Sequence, residues 1–499
     1  MRIATLAACA LLFAGSAAAQ SLRIGLSSDP DALDPTLSRT VSGRQVFAAL
    51  CDKLVDIDAS LNLVPQLATA WRWEDADKTL VLSLRPGVRL HDGSALDGET
   101  VAASLRRHLT LPGSTRKAEL GPVESVEASG PLETRIHLTE PFAPLVAALA
   151  DRAGMIMPRK AASLSGAEFL QAPLCSGPFR FVRRVAQDRI ELERFAEYWN
   201  AGAIHFDRVI YHPIPDATVR ALNLRSGQLD LIETVQPSDI PGLKAARGIR
   251  VQTGPSLSSF YIAVNVADGP RSRGQMGQSA LVREALDKAI DRKTLVDVVF
   301  DGLYVTGNQS VPPGSPFYVA QYPVPARDLA GARALLKAAG LERVAVELSV
   351  PNSTDYRQAG EVIQAMAAEA GIEVKLNTLE TVSLLQQWTT GDFETLLIQW
   401  SGRVDVDANL YNFNACGMAL NGGHYCNPKL DTILNEARRN TDMASRMANY
   451  TEAAAIYLAD RPYIYLYHSV LITGMTDRLE GLQAVPDSLF RLQGVRLGP

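Results

Sequence analysis

Residues 344–376 read VAVELSVPNSTDYRQAGEVIQAMAAEAGIEVKL. The run 344–350 is apolar and β-branched, which predicts a strand. Val362, Ile363, Met366 and Ala370 then recur at helical spacing, and Gly371 ends that helix because glycine adopts the left-handed C-cap conformation freely. Residues 372–376 form a second strand, so the stretch is a strand–helix–strand unit.

The same alternation extends in both directions and predicts an α/β fold. Strands are expected at 22–26, 79–84, 179–182, 190–194, 209–212, 260–266, 395–399 and 463–468. A helix is expected after Asp97, an N-cap residue, with Val101, Leu105 and Leu109 on one face. Further helices are expected at 215–225, 428–440 and 442–460. Two more carry the stripes Val282, Ala285, Leu286, Ala289, Ile290 and Ala332, Leu335, Leu336, Ala339, the second ended by Gly340. Composition shifts to Gly, Arg, Ser and Gln over 267–278, which marks a crossing or an exposed loop. These elements suggest two α/β lobes, the second inserted between Val266 and about Tyr465, so that the chain crosses twice and makes a hinge.

At 499 residues the chain exceeds the roughly 250–300 that one core can serve, which requires several domains. The formal net charge of −5 offers no basic excess for phosphates, so nucleic acid is excluded as a partner. Residues 1–19 carry Arg2, an apolar run and a small-residue A-x-A site, and read as a signal peptide cleaved after Ala19. Cys9 lies too early in that run to be a lipoprotein cysteine. Beyond it no apolar run reaches the roughly 18–20 residues of a membrane span. Export leaves Cys51, Cys175, Cys416 and Cys426 in an oxidising compartment, where three disulfide connectivities are open. Cys416 and Cys426 flank a Gly/Asn-rich loop and are the easiest pair to close; Cys51 with Cys175 then follows.

No G-x-S-x-G, H-E-x-x-H, Walker A or G-x-G-x-x-G sequence is present. The histidines at 91, 108, 137, 205, 212, 424 and 468 are scattered, and His91-Asp92-Gly93 reads as a turn after a strand. No metal site, cofactor or catalytic constellation is expected. The informative stretch is QWSGRVDVDANLY, residues 399–411, at the carboxyl end of a strand, where open α/β sheets bind ligands. Arg403 can grip a carboxylate while Asp405 or Asp407 accepts from an ammonium group, and Trp400 adds flat apolar area. Internal pairing of Arg403 with either aspartate is an equal reading of the same residues.

Several stretches in order resemble the family 5 extracytoplasmic solute-binding proteins, the peptide-binding components of ABC importers. They are PQLATAWRWEDADKTLVLSLRPGVRLHDGSALDGETVAASLRR (65–107), CSGPFRFVRRVAQDRIELERFAEYW (175–199), VRALNLRSGQLDLIE (219–233), FYIAVNV (260–266) and LVREALDKAIDRKTLVDVVFDGLYVTGNQSVPPG (281–314). The resemblance implies the two-lobe periplasmic-binding-protein fold (type II), with an extra subdomain on the first lobe and a hinged interlobe cleft. It places the first lobe at 20–45 and 171–266, the subdomain at 46–170, the second lobe at 267–465 and the return at 466–499. It implies a monomeric periplasmic receptor that is not an enzyme and that delivers a peptide or peptide-like solute to an inner-membrane ABC permease. The nominated ligand residues are Trp400, Arg403, Asp405, Asp407, Asn409, Tyr411, Phe260, Tyr261 and Ser176. Peptide binders of the family carry an acidic residue where Arg403 stands, so Asp405 takes over the amine contact and Arg403 suggests an anionic group, as in glutathione-like or γ-linked peptides. A nickel chelate, an opine, a sugar conjugate, an exported hydrolase and a holdase chaperone are the alternatives.

Overall fold

The computed structural model describes residues 20–266 and 269–498. The expected signal peptide, residues 1–19, lies outside the described residues, as do the first two positions after the expected crossing at Val266.

The decisive unit forms as read. Val344–Pro351 and Ile372–Leu379 pair in parallel, joined by the helix Thr354–Ala370, whose C-cap Gly371 has φ 92°. The backbone continues from it into one eleven-stranded sheet. Its spine is a pair of long antiparallel strands, Ile249–Val264 and Tyr463–Thr476. One half of each belongs to either lobe. On the first-lobe side Tyr463–Thr476 borders Leu231–Ile232, followed by Ser21–Leu26, Arg208–Pro213, Arg189–Arg194 and Phe179–Val185. On the second-lobe side Ile249–Val264 borders Thr395–Trp400, then the parallel pair above.

Register between the long strands slips at Pro255/Ser259 and again at Phe260/Tyr261. Proline has no N–H to give a ladder, and a bulge bends the strand that carries it. The irregularity therefore falls where the two lobes meet and supplies the hinge.

Separate cores sit around this spine. One gathers Leu22, Ile24, Phe47, Phe179, Tyr211 and Met475 in the first lobe. Two cover opposite faces of the second-lobe sheet, around Ile262, Leu286 and Ile363 on one side and Tyr261, Phe393 and Tyr463 on the other. The appended subdomain has its own four-stranded sheet of Ala68–Glu74, Thr79–Leu84, Glu133–Leu138 and Val123–Gly130, against which the helix Gly98–Thr110 packs. Asp97 caps that helix by accepting from the Thr100 N–H. The subdomain core runs from Leu54 to Ile156 and takes in Val485 from the C-terminal return. Val46–Cys51 and Met155–Phe169 contribute to the first-lobe core instead. The packing boundary thus falls inside the 46–170 expected from sequence, because the helix Val41–Leu50 buries its apolar side chains on the first-lobe sheet.

Cys51 is bonded to Cys175 and Cys416 to Cys426, with Cα separations of 5.0 and 4.5 Å. The first bond ties the end of the helix Val41–Leu50 to the segment entering Phe179–Val185. No helix among the described residues is long and apolar enough to cross a membrane.

Candidate functional site

The strand Thr395–Trp400 ends at the junction of lobes and subdomain, and the loop beyond it turns on Gly402. Gly402 has φ 74°, and a Cβ there would stand 2.1 Å from the Leu257 carbonyl oxygen. Only glycine lets this loop lie against the hinge. Asn409 then fixes it: its Oδ1 accepts from the Trp400 indole N–H (2.7 Å) and the Arg403 N–H (2.8 Å), and its Nδ2 donates to the Arg403 carbonyl (2.9 Å).

The charged residues of the loop go separate ways. Asp405 turns back into the second lobe and makes a two-pronged pair with Arg446 at 2.6 and 2.9 Å. Asp407, buried, accepts from Arg438 Nη2 at 3.0 Å. Burial raises its carboxyl to about 6, partly offset by Arg438. Tyr411 donates to Asn435 and lies under the Arg438 guanidinium at 3.5 Å. Arg403 instead points out of its own lobe. Its guanidinium lies over the Trp400 ring at 4.5 Å and its Nε stands 2.9 Å from Asp151 Oδ2 of the subdomain.

Asp151 is the junction of all three bodies. Arg44, on the first-lobe helix Val41–Leu50, reaches the same carboxylate at 2.9 Å, and Arg152 Nε stands at 3.7 Å. Burial pushes the Asp151 carboxyl up, but Arg403, Arg44, Arg152 and Arg116 outweigh it and hold the group well below the usual carboxylate range. One carboxylate cannot serve so many cations. Burial lowers the Arg403 guanidinium to about 10 and that of Arg152 to about 9, and it lowers Arg116 as well. Several donors there have no hydrogen-bond acceptor among the described residues: Arg116 Nε and Nη1, Arg152 Nε and Arg403 Nη2. Glu119 lies 3.1 Å from Arg116 Nη1 and supplies the second acidic group.

Beside this cluster opens a chamber of about 440 Å³, counting the solvent at its mouth, lined among others by Arg39, Arg116, Glu119, Arg152, Trp400 and Asn412. Asn412 is only 5 % exposed and its Oδ1 has no hydrogen-bond donor among the described residues. Unsatisfied guanidinium and amide groups beside an indole face are equipped to take a planar anion such as a carboxylate.

A second chamber of about 980 Å³, counting the solvent at its mouth, lies on the hinge side of the same loop. Phe260, Gln399, Ser401, Glu233 and Asp355 are among the residues that line it.

Of the nominated residues, Trp400 faces the arginine chamber, Arg403 stands behind it and Phe260 faces the hinge chamber. Asp405, Asn409 and Tyr411 are spent on contacts within the second lobe, and Asp407 pairs with Arg438 through Oδ2 while its buried Oδ1 accepts no hydrogen bond among the described residues. Tyr261 is buried among Phe413, Tyr463 and Tyr465. Ser176, fully buried, donates to the carbonyl oxygen of Ile156 at 2.8 Å. His91 is buried between the Gly177 carbonyl and the Cys175 N–H, and burial lowers it to about 4. Among the described residues no group of His, Cys, Asp or Glu is arranged to hold a metal. Sequence reasoning missed Arg44, Arg116, Asp151, Arg152, Glu233 and Asp355. A signal existed for two of them: Asp151-Arg152 interrupts the apolar run from Leu145 to Met157, where charge is costly unless paired.

Residues 62–420 match the bacterial extracellular solute-binding proteins, family 5 (middle). The glutathione-binding protein GsiB of Pectobacterium atrosepticum is 27% identical over 493 residues, 96% of this chain and 95% of the relative. The dipeptide-binding protein of Escherichia coli K12 is 26% identical over 525 residues, 98% and 96% of the two chains. The structure of DppA from Helicobacter pylori in complex with the peptide STSA superposes with a TM-score of 0.87 at 24% identity, covering 96% of this chain and 98% of that one. Two lobes on a shared pair of strands, an appended subdomain and a cleft where all three meet agree with that match, and the chain belongs to the family 5 extracellular solute-binding proteins, receptors for ABC import and not enzymes.

Proposed function

We propose that the protein is a monomeric periplasmic receptor for peptides or peptide-like solutes that carry an anionic group, which it delivers to an inner-membrane ABC permease. The single observation that carries the reading is the arginine chamber: Arg116 and Arg152 each keep an Nε with no hydrogen-bond acceptor among the described residues, at a buried junction of both lobes and the subdomain. A carboxylate entering it would satisfy those donors and bind the closed arrangement better than the open one, which is what drives closure. The glutathione- and peptide-binding names of the relatives support the same class of solute.

Native mass spectrometry of the protein recovered from the periplasm tests the reading. The expected result is a chain beginning at Gln20 that releases a carboxylate-bearing peptide or γ-glutamyl compound on denaturation. Titration calorimetry then compares that compound on wild type and on Arg152→Gln, with weaker binding expected for the variant. A neutral solute bound equally well by both proteins would overturn the anionic reading, and a released chelate, opine or sugar conjugate would replace the peptide.

A further inference from the structure

The hinge-side chamber has the opposite character. No Lys, Arg or His lines it among the described residues, whereas Glu233 and Asp355 both do. Glu233 is 6 % exposed, comes from the first lobe and has no cation within ion-pair distance among the described residues. Its Oε1 accepts from the Ser27 N–H and hydroxyl, both at 2.7 Å. Its Oε2 accepts no hydrogen bond among the described residues. The neighbouring cation Arg220 donates to the carbonyls of Ile214, Pro215 and Thr234 at 2.6, 3.0 and 2.9 Å, its Nε has no hydrogen-bond acceptor among the described residues, and its charge acts on Glu233 only from beyond ion-pair distance. Asp355 comes from the second lobe, in the first turn of the helix Thr354–Ala370, where the helix dipole favours a carboxylate. It accepts from the Ser353 hydroxyl at 2.7 Å. Glu233 has no such helix end to support it.

A carboxylate held nine-tenths out of water with no ion-pair partner in contact is costly. The remaining walls include Gln252, Gln399 and Ser401, which offer acceptors, and the rings of Phe260 and Tyr304. Carboxylates, amide oxygens and aromatic faces together are the surroundings that recognise an ammonium or guanidinium group.

We propose that the hinge-side chamber holds a cationic nitrogen of the solute between Glu233 of the first lobe and Asp355 of the second. The solute then carries positive charge at the hinge and negative charge at the arginine chamber, with Trp400 and Ser401 between them. This deepens the proposed function and rests on its reading of the cleft as the solute site. A cation shared by the two carboxylates also ties the lobes directly, so it favours closure independently of the arginines.

The test uses the full mature protein and matched probes: glutathione and a panel of dipeptides, each with its amine free and N-acetylated, titrated calorimetrically. Wild type is expected to bind the free-amine form at least tenfold more tightly. Glu233→Gln, which keeps the acceptor for Ser27, is expected to lose about tenfold for the free-amine form and nothing for the acetylated form. Equal binding of the two forms by wild type, or unchanged free-amine affinity in both Glu233→Gln and Asp355→Asn, would overturn the proposal. If no peptide of the panel binds, crystals soaked in methylammonium chloride decide. Methylammonium against Glu233 in wild type and its loss in Glu233→Gln support the chamber's role, and its absence from wild type overturns it. The two proposals fail separately, because substitution of Arg116 and Arg152 weakens the free and acetylated forms alike. If those substitutions change nothing while Glu233→Gln does, the anionic reading falls and this one stands.

Discussion

The two chambers differ in charge although one stretch of backbone forms a wall of both. Gln399 and Ser401 face the hinge chamber, and Trp400 between them faces the arginine chamber. That is the two-residue alternation of a strand carried to its end. The wall itself is uncharged on either side. Polarity is set by residues far away in sequence, Arg116 and Arg152 from the subdomain on one side and Glu233 and Asp355 from the two lobes on the other. One strand end can therefore present two sites of opposite sign, and the loop's own composition does not say which charge sits where.

The largest expected effect that tests this contrast is at Asp151, the carboxylate against which Arg44 and Arg403 meet. Asp151→Ala strands buried guanidinium groups and is expected to cost about 3–5 kcal/mol of stability in urea denaturation. Small-angle scattering is expected to show a more open molecule. The pH dependence has a definite sign. Because the folded carboxyl is held below its unfolded value of roughly 3.9, its contribution is fully present above that pH. It is lost only as pH falls through the lower folded value, so the tie made by Asp151 should not change between pH 8 and pH 5. A closure transition near neutrality would show that another group makes the tie.

Next in size is the double substitution Arg116→Gln, Arg152→Gln. With glutathione as the probe, affinity is expected to fall at least thirtyfold, or about 2 kcal/mol. A loss confined to Glu233→Gln would reverse the ranking of the two chambers. The smallest effect is at Asp405, whose carboxylate is paired with Arg446 inside the second lobe. Asp405→Asn should change glutathione affinity by less than about twofold, or about 0.4 kcal/mol, while lowering the melting temperature. A tenfold loss in calorimetry would give Asp405 the amine contact and move the cationic subsite out of the hinge chamber.

Much of the fold was legible because it follows from local periodicity. The unit around Thr354–Ala370, the helices capped by Asp97 and Asp442, and the strand Thr395–Trp400 all stand within a few residues of where spacing predicts them. The helix Val41–Leu50 was not, because VSGRQVFAAL is buried nearly all round and has no apolar stripe to read. The first half of Ile249–Val264 was missed as well, since Gly254 and Pro255 look like a break and instead mark the bulge of the hinge. At the site, the sequence pointed to the loop after Trp400 but not to its partners. Arg403 was weighed against Asp405 and Asp407, its neighbours in sequence, and its actual partner is Asp151.

The sequence by itself determined the class of the elements, their order, the family and the loop at which the site is built, because hydrophobic spacing and turn residues act over a few positions along the chain. Only the tertiary structure decided which charges are satisfied and which remain available. A guanidinium and a carboxylate look the same in sequence whether paired or free. Their pairing depends on Coulomb attraction and desolvation over a few ångströms of space, between residues that chain folding brings together from more than two hundred positions apart.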